Sequence, residues 1–124
     1  MSMAYEADLI CQAFVADTDL SSYQYYPVSL NDDEEVILAS DTGDFMFGVL
    51  QNAPSAAGRT CRVAQDGITK AVGGAQIAAG ALVQIDDGGK FITQVAGVLV
   101  GQAMTPCGAE DELFSLKIAR ESGV

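Results

Sequence analysis

Hairpin chemistry constrains this chain more than any other feature. Leu82-Val83-Gln84-Ile85 and Lys90-Phe91-Ile92-Thr93-Gln94-Val95 flank Asp86-Asp87-Gly88-Gly89. Two β-prone runs around residues that tolerate a tight reversal predict an antiparallel pair. The other apolar stretches are equally short and rich in Val, Ile and Phe, with glycines between them. Tyr25 to Leu30 reads as a strand, and Pro27, which has no amide proton to donate, argues for an edge position. Glu35 to Ala39 and Phe45 to Leu50, around Ser40-Asp41-Thr42-Gly43-Asp44, read as a second hairpin. Thr60 to Ala64, closed by Gln65-Asp66-Gly67, Val98 to Ala103 and Leu113 to Ala119 complete the strand set. Asp19 to Gln24 and Ala75 to Ala79 are long enough only for short helical turns. The expected fold class is therefore all-β (mainly β), a small β-barrel or sandwich. Residues 1–24 do not alternate cleanly and read as an extended N-terminal arm, followed by a barrel-like domain over 25–124.

One internal echo stands out. Gly48-Val49-Leu50-Gln51-Asn52-Ala53-Pro54 leads through Ala57-Gly58 to Arg62-Val63-Ala64, and Gly101-Gln102-Ala103-Met104-Thr105-Pro106 leads through Gly108-Ala109 to Lys117-Ile118-Ala119. Each unit reads as strand, Pro/Gly/Ala loop, strand with a basic residue. Pro fixes φ and Gly permits the return, so shared turn composition and a structural duplication both account for it.

Charge narrows the function. The net charge is −11, and it is unevenly placed. Residues 1–58 carry ten carboxylates and no Lys or Arg, whereas 59–124 carry seven acids against six bases. Nucleic-acid binders gain affinity by neutralising phosphates with Lys and Arg, so DNA or RNA is not an expected partner. No stretch approaches the roughly 20 apolar residues of a membrane-spanning helix. The start, Met1-Ser2-Met3-Ala4-Tyr5-Glu6, has no basic and then apolar leader pattern, so synthesis in the cytoplasm without a signal peptide is the expectation. Cys11, Cys61 and Cys107 are odd in number and form no C-x-x-C pair, which suits buried free thiols.

Equipment for catalysis is missing. The chain has no histidine, which removes Ser/His and Cys/His pairs and the usual zinc sites. There is no P-loop, no G-x-G-x-x-G and no G-x-S-x-G. Acids cluster in runs such as Asn31-Asp32-Asp33-Glu34-Glu35, which read as a solvated loop rather than a dry acid pair. Asp17-Thr18-Asp19, Asp41-Thr42-Gly43-Asp44 and Asp86-Asp87-Gly88 are oxygen-rich, but none completes a calcium loop, and Asp in a turn commonly caps its own backbone. No catalytic residue, cofactor or metal is expected.

The aromatics point to contact surfaces instead. Tyr23, Tyr25 and Tyr26 crowd beside Pro27, and neighbours in a strand face opposite sides, so at least one should lie at a surface. Tyr is favoured at interfaces. Together with Tyr5 and Leu9 of the arm, these are the candidate contact residues.

The run from Phe47 to Ile118 also resembles a family of small tailed-bacteriophage proteins of the capsid decoration, or cement, type. The residues that carry the likeness are Gly48-Val49-Leu50-Gln51-Asn52, Pro54-x-x-x-Gly58, Arg62-Val63, Gly67-Ile68-Thr69-Lys70, Ile77-x-x-Gly80-x-Leu82-Val83, the Asp86–Lys90 turn, and Val100-Gly101-Gln102-Ala103 leading into Leu116-Lys117-Ile118. The resemblance implies a structural virion protein on the outer surface of the head. It implies the major capsid protein as partner, and a homo-oligomer, often a trimer, that cements adjacent capsid subunits. A ligand- or carbohydrate-binding β-barrel module is the alternative, although the chain has no Trp to stack on a sugar.

Overall fold

The computed structural model describes residues 4–40 and 45–119. Nine strands run in chain order: β1 (Ala7–Ala16), β2 (Pro27–Leu30), β3 (Glu35–Leu38), β4 (Gly48–Leu50), β5 (Thr60–Val72), β6 (Leu82–Ile85), β7 (Phe91–Thr93), β8 (Gly101–Ala103) and β9 (Leu113–Ile118). The described residues contain no helix. The all-β expectation holds, but the strands do not form a single barrel. They make one sheet in the order β1-β3-β2-β4-β5-β9-β8-β6-β7, which doubles back on itself twice. β1 pairs with both β3 and β5, closing a ring of five strands. A parallel bridge from Gly73, just past β5, to Phe91 of β7 closes a second ring through β9, β8 and β6. The two rings share β5.

The rings are copies of one another, strand for strand. In the β2–β3 hairpin, Val28 faces Leu38 and Leu30 faces Val36; in the β6–β7 hairpin, Val83 faces Thr93 and Ile85 faces Phe91. Both turns use the same device. Asn31 Oδ1 accepts the amides of Asp33 and Glu35, both at 2.9 Å, and Asp86 Oδ1 accepts those of Gly88 at 2.8 Å and Lys90 at 2.9 Å. This is the self-capping that Asn and Asp supply in turns. The fourth turn residue is left-handed in each, Glu34 at φ 63° and Gly89 at φ 85°. Likewise Val15 of β1 faces Thr60 of β5, and Val72 of β5 faces Leu113 of β9. The echo between 48–64 and 101–119 is thus a structural duplication, β4–β5 answering to β8–β9. The two segments expected as helical turns are one loop twice over. Its apolar residue, Leu20 or Ile77, is buried, and its amide bonds to the carbonyl of Pro54 or Cys107, each at 2.9 Å.

Each ring encloses its own core. Leu20, Val28, Val36, Leu50, Cys61 and Val63 fill the first; their counterparts Ile77, Val83, Phe91, Ala103, Phe114 and Leu116 fill the second. Neither identity nor volume is kept. Val36 and Cys61 give way to Phe91 and Phe114, which meet edge to face at 6.1 Å, and the shrinkage of Leu50 to Ala103 offsets only part of the added bulk. The ring geometry is kept while each core packs its own set of side chains.

Four local expectations need correcting. Residues expected in an arm form β1 over 7–16, and Ala16 and Leu20 are fully buried. Asp8 takes φ 53° and the β1–β5 register shifts on both sides of Ile10, so a real strand loses its visible alternation. β2 is flanked by β3 and β4 and is not an edge; Pro27 fits because it opens the strand and offers only its carbonyl, to Ala39. The strand after Thr60 does not stop at Gly67 but continues to Val72, because Gly67 at φ 97° bends it without ending it. β3 pairs with β2 and not with β4; the turn expected at 40–44 lies mostly outside the described residues.

The duplication makes matched predictions. A Cβ on Gly48 would strike the carbonyl oxygen of Ala64, and one on Gly101 would strike that of Lys117. Gly48→Ala and Gly101→Ala should each cost roughly 1–3 kcal/mol in denaturant unfolding, and a large effect at one with none at the other would contradict the equivalence. Glu34→Gly, which relieves a left-handed Glu where the other turn has Gly, should stabilise by about 0.5–1 kcal/mol, read in the same assay.

Candidate docking surfaces

The described residues leave no buried side-chain nitrogen or oxygen without a hydrogen-bond partner, so no polar group is held bare inside a pocket. What the surface offers is apolar patches and charge.

The first patch lies along β1. Its residues 7–13 have β5 on one edge only, since β3 joins at Val15 and Ala16. Leu9, Ile10 and Cys11, with Arg62 and Thr60 of β5, line a shallow groove there. Ile10 is 58% exposed and Tyr5 41%. Tyr5 is anchored through its backbone: its amide donates to Ser115 Oγ, and that hydroxyl donates back to the Tyr5 carbonyl at 3.0 Å. Leu9 is half-buried against the second core.

The tyrosines of 23–26 sit elsewhere, where the rings meet. Tyr23 packs on the first core and meets Tyr26 edge to face at 5.2 Å. Tyr25 adopts φ 69°, donates its amide to Leu50 and accepts that of Val72. All three are half-buried. Burial pushes the Tyr26 hydroxyl above its ordinary range, against the pull of the Lys90 ammonium nearby. Lys90 itself is clamped by Asp111 at 2.6 Å and Glu110 at 3.1 Å, and these two bonds hold its proton well above the usual lysine value. The structure thus groups Tyr5 with Leu9 along β1, and Tyr23 with Tyr25 and Tyr26 at the seam, as two separate surfaces.

The second patch went unread in the sequence. Ser29, Leu30, Ile37, Leu38, Phe45 and Phe47 line a groove on the β2–β3 hairpin. An apolar residue inside a strand reads as core unless the pairing partner is known, which hid this groove, whereas Ile10, beside Leu9 in the stretch read as an arm, carried no signal of its own.

A protein-family model described as phage cement protein matches residues 14–118. Among solved structures, the chain is similar to the head fiber gp8.5 N base of bacteriophage phi29, with 17% identity and a TM-score of 0.63, over 92% of this chain and 97% of that one. That likeness speaks to the fold alone. No curated protein matches the chain in sequence.

The thiols provide a check on the surface assignment. Cys61 and Cys107 are buried, and burial pushes both thiols above their ordinary range, while Cys11 lies at the β1 groove. Since the thiolate is the reactive form, a thiol-reactive dye at neutral pH should label Cys11 first. Cys61 and Cys107 should react only on unfolding; their early labelling in the native protein would contradict the closed rings.

Proposed function

The chain belongs to the phage cement protein family, and from that membership we propose that it binds the outer surface of a capsid and ties adjacent major capsid subunits together. The family match over 105 residues, 14 to 118, carries this reading. The geometry supports it. A doubly closed sheet with two apolar cores is a stiff body, and stiffness lowers the entropy lost on docking. A cement protein needs only a modest interface per copy, because contacts repeated over a lattice act together. The net charge of −11 favours separation of free copies before assembly and is compatible with a position outside the shell.

We assign contact between copies to the open edge of β1, with Tyr5, Leu9 and Ile10 as its apolar residues. In a trimer that edge would meet a different patch on the next copy, the heterologous contact that closes into a ring. Tyr23, Tyr25 and Tyr26 contribute by holding the seam rigid and by the surface that they retain.

Purified chain mixed with capsids that lack it should co-sediment and raise the temperature at which those capsids rupture; a chain that never pellets with any capsid would sink the proposal. Ile10→Asp buries an unpaired charge wherever β1 is covered, so it should weaken self-association roughly tenfold or more, measured by analytical ultracentrifugation, with an unchanged unfolding midpoint. An unaltered association constant would remove β1 from the interface.

A further inference from the structure

The duplication sets two four-residue rows in correspondence. In the first ring Cys11, Ala64, Val49 and Pro27 face one another across β1, β5, β4 and β2. In the second ring Ile68, Lys117, Gln102 and Leu82 do the same across β5, β9, β8 and β6. Residues paired directly across strands share a face of the sheet, so each row is one continuous strip, and the two match in register. The first strip is internal. Val49 and Ala64 are fully buried in the second core, Cys11 packs against that core, and Pro27 is buried. The second strip is external. Lys117 and Gln102 are exposed, Leu82 is 48% exposed and Ile68 is half-buried. The strip that joins ring to ring inside the chain thus has a solvent-facing counterpart on the second ring.

That outer strip is where this acidic chain concentrates its bases. Lys117 lies within it, and Lys70 stands on the same face two residues along β5 from Ile68. Among the described residues neither has an ion-pair partner, and Lys90 is the only base that does. β6, β8 and β9 carry no acid. The complementary charge is on the first ring, since residues 1–58 hold ten carboxylates and no base. Three of these, Asp32, Asp33 and Glu34, are exposed in the turn before β3, and β3 meets β1 at Glu35 opposite Val15. The acidic turn therefore stands at the end of the open β1 edge, on which Ile10 is 58% exposed.

We infer that the second ring's strip, with Ile68, Lys70, Leu82, Gln102 and Lys117, receives the first ring of the next copy, whose acidic turn lies against Lys117 and Lys70. The inference rests on the copy-to-copy reading of β1 above and names the other half of that contact. Copies of net charge −11 repel one another. A contact between them forms where the scarce bases of one meet carboxylates of the other, and that pairing fixes the register and rejects a turned partner. Leu82 and Ile68 on one side and Ile10 on the other supply the apolar area removed from water. The two surfaces differ, so the contact runs head to tail and closes into a ring.

Charge reversal in matched pairs tests it, read by analytical ultracentrifugation of the full chain. Lys117→Glu should weaken self-association roughly tenfold, with an unchanged unfolding midpoint because the side chain is exposed. Adding Asp32→Lys should restore association to within about threefold of the parent. Adding instead Asp87→Lys, at the equivalent place in the β6–β7 turn, should restore nothing. Both double variants carry the parent's net charge, so a change in overall repulsion cannot separate them. An unaltered association constant for Lys117→Glu, or equal rescue by Asp32→Lys and Asp87→Lys, would overturn the proposal. Weaker capsid binding by Lys117→Glu with self-association intact would also overturn it, giving the strip to the capsid subunit. If Ile10→Asp weakens association and Lys117→Glu does not, the β1 interface stands and this partner surface falls. The reverse outcome, with rescue by Asp32→Lys, upholds the strip and its acidic partner and removes β1. A parent chain that stays monomeric at every concentration would overturn both.

Discussion

Everything in this molecule depends on β5 serving two cores. Its first half presents Cys61 and Val63 to one ring, and its second half runs beside β9 and presents Ala71 to the other. The exchange happens at Gly67, whose φ of 97° is a conformation that residues with a Cβ resist. The crossing is tight, since a Cβ there would strike the backbone of Asp8. Asp8 is itself left-handed, at φ 53°, so both strands at the crossing bend together. Because β5 cannot leave one ring without opening the other, the two cores should unfold as one cooperative unit.

Much of the fold was legible in the sequence, and what was hidden was hidden for physical reasons. The β6–β7 hairpin announced itself because its turn, Asp86 to Lys90, contains glycine at the left-handed position. The equivalent turn at Asn31 to Glu35 performs the same reversal with Glu34 in that position, and so passed as an acidic loop. The duplication showed only between 48–64 and 101–119, where the glycines at 48 and 101 are required by the same close approach to a carbonyl. Elsewhere the two cores differ in both identity and volume, with Cys61 answering Phe114 and Leu50 answering Ala103, and only the strand pairing survives. β1 was unreadable because its register shifts beside Ile10 break the alternation by which strands are recognised.

The contact residues were harder still. Tyr5 and Leu9 do lie together beside Ile10 on β1, whereas Tyr23, Tyr25 and Tyr26 fill the seam between the rings. The open groove had no signal in the sequence, because Leu30 and Ile37 look like any strand interior.

The central proposal is that a rigid, doubly closed β sheet joins neighbouring capsid subunits. A density map of decorated capsids, resolved well enough to trace strands, tests it most directly. The account predicts each copy spanning two major capsid subunits. Copies seated on single subunits would contradict it.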